Sequence, residues 1–74
     1  MDMPLNFIGL GKFAEINSVR GGEAICRKIM EMGMNKGAII KIMKNDSGPL
    51  IVNVGETRLV IGRGMAQKVM VREV

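Results

Sequence analysis

Ten glycines punctuate this 74-residue chain, and from Ala38 onward only short extended runs lie between its turns. A parallel crossover needs a dozen or more residues between strands, so runs this close together can pair only antiparallel. Ala38–Lys44 is rich in isoleucine, Asp46-Ser47-Gly48-Pro49 is a cluster of turn formers, and Leu50–Val54 is a second run. Gly55-Glu56 makes a tight turn into Thr57–Ile61. Gly62-Arg63-Gly64 then interrupts, a short helical turn is expected around Met65–Lys68, and Val69–Val74 reads as a last strand. These assignments rest on β-branched residues bounded by residues that favour turns.

The first half has a different period. Phe13–Arg20 places Phe13, Ile16 and Val19 among Glu15, Asn17, Ser18 and Arg20, an imperfect alternation read as a strand. Gly21-Gly22 ends it, and Glu23 stands in the first turn of a helix over Glu23–Met32, where an acid is favoured. On a helical wheel Ile25, Cys26, Ile29, Met30 and Met32 share an arc about 160° wide. Glu23, Arg27, Lys28 and Glu31 fill the opposite side, with Glu31 four residues after Arg27. Gly33 occupies the left-handed position that ends a helix, and Met34 is placed to pack back on the last turn. The sum is five short strands and one helix after the first of them: a mainly β chain, most economically a small antiparallel barrel whose closure hides its edges.

A chain of this length buries about 60% of the surface its unfolded form exposes. Residues 1–74 are therefore expected to form one domain with a thin core. Hydrophobic residues make up 47% of it, too many for a disordered tail. Phe7 and Phe13 are the only aromatics, whereas methionine, a flexible gap-filling side chain, occurs eight times.

Several functions fall away. Histidine is absent, which removes the commonest metal ligand and the commonest general base. One cysteine, Cys26, makes neither an internal disulfide nor a multi-cysteine zinc site, and suits a reducing cytosol. The carboxylates Asp2, Glu15, Glu23, Glu31, Asp46, Glu56 and Glu73 are scattered, so no metal or cofactor site and no direct iron site is expected. Cys26 and Met30 lie four apart on the apolar arc, where core packing is the simpler reading. No nucleophile–base pair and no phosphate loop is present; Gly9-Leu10-Gly11 and Gly62-Arg63-Gly64 lack the remaining glycines. The chain is not expected to be an enzyme. Its longest uncharged stretches, Met3–Gly11 and Ser47–Gly55, fall well short of the roughly 20 residues of a membrane helix, and no signal-peptide pattern opens it. A cytoplasmic location is expected. The net charge of +4 is dispersed, with only Arg27 and Lys28 adjacent, so solvated surface charge is favoured over nucleic-acid binding.

Met30-Glu31-Met32-Gly33-Met34-Asn35-Lys36-Gly37 resembles the helix end and turn of the FeoA family, accessory proteins of bacterial and archaeal ferrous-iron transport. Met3-Pro4-Leu5 and Gly11 are similar to its lead-in, Ile16 to Gly22 to its first strand and glycine turn, and Pro49–Gly55 to its central hairpin. Leu59–Ile61 with Ala66, Val69 and Val71 resembles its closing segment, so the likeness covers essentially the whole chain. Gly62 and Gly64 depart from it, where the family more often keeps a helical turn, and a looser turn is expected there. The resemblance implies an SH3-like barrel and a role as a cytoplasmic partner of FeoB, the membrane transporter with a cytosolic GTP-binding domain. Contact with a membrane would come only through that partner.

One further pattern concerns the strands. If Ile40, Ile42, Leu50, Val52, Val54, Leu59, Ile61, Val69 and Val71 face the core, polar residues should stand between them. Lys41, Asn53, Arg58 and Arg72 do, but Ile39, Met43, Ile51, Val60 and Met70 form a second apolar set. Either the N-terminal residues Leu5, Phe7, Ile8 and Leu10 or the helix cover it, or it is a docking or homo-oligomer surface. Arg20, Arg58 and Arg63 are the candidates for an arginine supplied in trans to a GTPase. The competing readings are a small basic barrel that binds nucleic acid and a self-associating barrel with no iron role.

Overall fold

Alternating burial along the apolar runs produces one antiparallel sheet. The computed structural model describes residues 2–74. Its strands are β1 (Met3–Pro4), β2 (Phe13–Val19), β3 (Ile39–Lys44), β4 (Leu50–Val54), β5 (Thr57–Ile61) and β6 (Val69–Glu73). Their order in the sheet is β1-β6-β2-β3-β4-β5, which leaves β1 and β5 at its two ends. Helix α1 covers Glu23–Glu31, and a one-turn helix α2 covers Arg63–Ala66. Ile40, Ile42, Leu50, Val52, Ile61, Val69 and Val71 are buried as their alternation requires, while Val54 and Leu59 pack at the margin of the same cluster.

The sheet has six strands where five were expected. The extra one, β1, is two residues long and pairs with the middle of β6, Met3 opposite Val71 and Pro4 opposite Met70. Two residues carry no periodicity to read, and a proline is tolerated at a sheet edge because its missing N–H is not needed there. The segment that follows turns inward. Leu5 and Ile8 are fully buried in the core, whereas Phe7 and Leu10 are each 69% exposed.

Two bulges bend the sheet. Ile16 opposes Val71 but Ser18 opposes Met70, so Asn17 is an extra residue in β2. The insertion explains the imperfect alternation, since it returns Val19 to the inner face three residues after Ile16. The second lies in β3, where Ile42 opposes Val52 but Lys44 opposes Ile51, leaving Met43 unpaired.

Helix α1 is capped by Gly22, with no side-chain hydrogen bond, at its start and by Met32 at its end. Gly33 has φ +87°, its N–H donates to Met30 O at 2.9 Å, and the N–H of Met34 donates to Ile29 O at 3.2 Å. This paired closure satisfies carbonyls that the last turn would leave open, and it carries Met34 into the core. The apolar arc is only half used. Ile29 is buried, Ile25, Cys26 and Met32 are half-buried, and Met30 is 58% exposed. Arg27 pairs with Glu23, one turn before it, at 2.7 Å rather than with Glu31. An acid N-terminal to its base is the better arrangement on a helix.

Helix α2 begins two residues before the expected turn and includes Gly64. The N–H of Ala66 donates to Gly62 O at 2.9 Å and that of Gln67 to Arg63 O at 3.0 Å. Burial of Ala66 holds the turn in place despite its glycines.

Candidate functional site

The outer faces of β2, β3, β4 and β5 carry two cross-strand rows. In the first, Phe13, Lys41, Asn53 and Arg58 oppose one another across four strands. Lys41 Nζ lies 5.5 Å from the centre of the Phe13 ring, a cation–π distance. In the second, Lys44 opposes Ile51 and Ile51 opposes Val60. Val60 is 65% exposed and Ile51 is half-buried. β3, β4 and β5 carry no carboxylate, and Lys41, Lys44 and Arg58 take part in none of the ion pairs among the described residues.

Of the five residues expected to form an outward apolar set, the structure joins only Ile51 and Val60 in one row, with Met43 half-buried in the bulge beside them. Ile39 is 47% exposed but stands opposite Glu15, which pairs with Arg72 on its other side. Met70 requires a correction: it is 7% exposed, flanked by Pro4 of β1 and Ser18 of β2, and is part of no open surface. Strand β1, invisible to the periodicity, lies on the side of β6 away from β2 and leaves Met70 inside the sheet.

The three arginines have different surroundings. Arg58 is exposed near the start of β5, and Arg20 is exposed just after β2, where its backbone N–H donates to Lys68 O at 2.6 Å. Arg63, the third candidate, is half-buried, and its Nη2 donates to Asn45 Oδ1 at 2.7 Å. Asn45 Nδ2 in turn donates to Asn6 O at 3.0 Å and Ile8 O at 2.8 Å. Arg63 therefore ties α2 to the β3–β4 turn and, through Asn45, to the N-terminal segment. It is not a free guanidinium.

Sequence reasoning missed the clefts beside α1. One of about 310 Å³ runs between α1 and β2 and is lined by Val19, Cys26, Met30, Met34 and neighbouring polar residues. A second of about 460 Å³ lies along the helix between Glu23, Cys26, Arg27, Met30, Glu31 and Asn35. Cys26 Sγ sits 3.8 Å from Gly21 O and 3.9 Å from Val19 O at their common wall. The signal in the sequence was the width of the apolar arc, which exceeds what one short sheet can cover. Among the described residues no three His, Cys, Asp or Glu side chains converge on a common point.

Comparison with known proteins places this arrangement. The FeoA domain model matches residues 3–73. The "Putative Fe(2+) transport protein A" of Methanocaldococcus jannaschii is 31% identical over 70 residues, 95% of this chain and 85% of that protein. A crystal structure of the iron uptake regulatory protein FeoA superposes with a TM-score of 0.92 at 36% identity, over 100% of this chain and 99% of that one. The zinc complex of Stenotrophomonas maltophilia FeoA, described as a prokaryotic SH3 domain protein and suggested to be a ferrous iron transport activating factor, gives a TM-score of 0.83 at 30% identity, over 95% of this chain and 89% of that one. The sheet is thus of the SH3 type, and the chain belongs to the FeoA family.

Proposed function

We propose that this protein is a cytoplasmic accessory factor of ferrous iron transport that docks on the cytosolic, GTP-binding part of a FeoB transporter and regulates Fe²⁺ uptake by binding, with no catalysis of its own. The observation that carries the reading is the family match across residues 3–73. The SH3-type sheet supports it, because its outer face offers exposed Val60 beside unpaired Lys44 and Arg58, a surface suited to a protein partner. An arginine acting in trans on the GTPase would fall to Arg58 or Arg20, since Arg63 is held by Asn45.

Regulation requires unequal affinity for two states of the transporter, because equal affinity shifts neither. Titrating the protein against the cytosolic region of FeoB, loaded in turn with GDP and with a non-hydrolysable GTP analogue, should give dissociation constants that differ measurably. Equal constants would leave docking without regulation. A rise in GTP turnover lost in Arg58→Ala would add the trans-arginine role, and unchanged turnover would remove it.

A further inference from the structure

Strand β5 ends the sheet, and its outer edge is open. β5 pairs with β4 alone, and no backbone hydrogen bond joins Thr57–Ile61 to any other described segment. The polarity of that edge follows from the hairpin. Val54 opposes Thr57 across the two-residue turn Gly55-Glu56, with Gly55 at φ +60°. In a two-residue hairpin with glycine first, the residues flanking the turn exchange both hydrogen bonds. The bonded pairs then recur at Val52 with Leu59 and Leu50 with Ile61. Arg58 and Val60 are left with N–H and C=O pointing away from β4, at the free edge, while their side chains lie on the outer face.

Such an edge is normally blunted by charge, a bulge or a cover. Here the register β4–β5 is continuous, Val60 is 65% exposed, and the only charge on β5 is Arg58. That charge shares a face with Lys41 and Lys44, and β3–β5 hold no carboxylate to balance them. A second copy of the chain would double this uncompensated positive charge. An extended segment with carboxylates would neutralise it and pair with the edge at the same time.

We propose that β5 is a strand-addition site for an acidic, extended peptide segment of the partner protein, with a carboxylate beside Arg58, an apolar side chain beside Val60 and main-chain bonds to both. Main-chain pairing supplies affinity and alternate side chains supply selection in this mode. The inference rests on the docking reading for which protein carries the segment, and gives that reading a surface and a chemistry.

The test probes the full chain with short overlapping peptides tiling the cytosolic region of FeoB from the same source, and with the intact region. Retention is expected on peptides that alternate acidic with apolar residues. Arg58→Glu and Val60→Pro should each weaken it by about tenfold or more. Proline is compatible with position 60 because the N–H lost there faces outward, and melting curves should confirm that both variants fold. Amide exchange gives a reading without mutation: the bound peptide should protect the N–H groups of Arg58 and Val60, leaving Leu59, already bonded to β4, unchanged. The proposal is overturned by retention on no peptide, by retention on neutral or basic peptides, or by absence of that protection. Displacement by a single-stranded oligonucleotide, sensitive to Arg58→Glu but not to Val60→Pro, would also overturn it in favour of nucleic acid. Capture of the intact region by wild type and both variants alike would remove the β5 site while docking stands. Capture of the intact region by none of them would remove both.

Discussion

Arg63 Nη2 donates to Asn45 Oδ1 at 2.7 Å, and through that single side chain the helical turn α2 is fastened to the backbone of the N-terminal segment. Asn45 uses its acceptor on Arg63 and its donors on Asn6 O and Ile8 O, so three pieces of chain distant in sequence meet at one amide. Removing it leaves two carbonyls without their donor and a half-buried guanidinium without its acceptor. Asn45→Ala should cost about 1–3 kcal/mol, visible as a drop in melting temperature of several degrees. A melting temperature equal to wild type would show that solvent replaces the network.

The turn after α1 isolates backbone strain from packing. Gly33 has φ +87°, and a Cβ built there meets nothing within 4 Å. Gly33→Ala therefore tests conformation alone, with an expected loss of about 1–2 kcal/mol from the left-handed backbone. Denaturant titration should show this as a lower midpoint at unchanged slope.

Helix α1 predicts a contrast within one turn. Ile29 is fully buried and Met30 is 58% exposed, although both belong to the apolar arc. Ile29→Ala should destabilise by about 2–5 kcal/mol. Met30→Ala, by comparison, should stay within about 0.5 kcal/mol. A large loss at Met30 would mean that its side chain packs more closely in solution than its exposure indicates.

The same contrast applies across the sheet. Ile42 lies in the core, and Val60 stands on the outer face of β5. Ile42→Ala should cost about 2–5 kcal/mol. Val60→Glu should leave the fold within about 0.5 kcal/mol of wild type while weakening capture of the partner. Unfolding of Val60→Glu would show that the side chain is part of the core after all.

Much of the fold was legible because β3, β4 and β5 are short runs rich in β-branched residues separated by strong turn formers. Bounds of β4 and β5 agree with the expected Leu50–Val54 and Thr57–Ile61. The helix end was legible because only glycine suits the backbone at position 33. Three things were hidden for physical reasons. A two-residue strand such as β1 has no period, and its presence decides that Met70 is buried. The bulge at Asn17 converts a period of two into a spacing of three, so β2 looked irregular. The hydrogen bonds of Asn45 depend on contacts across nearly forty positions of sequence, and no local pattern announces them. As for the candidate site, its residue types were legible in Ile51 and Val60, but the open edge at β5 follows from strand order, which composition and periodicity do not fix.

Docking on the cytosolic part of FeoB is the role proposed for this chain. It is tested by capture of that region, from the same source, by this protein at low and at high salt. Apolar contact and main-chain pairing depend weakly on salt, and screening weakens only the carboxylate beside Arg58, so capture should persist at high salt with a modest loss. Binding of phosphates by Lys41, Lys44 and Arg58 would instead fall by about 40-fold between about 50 and 200 mM salt. Capture seen only at low salt, and shared with nucleic acid, or absent at both salts, would overturn that role.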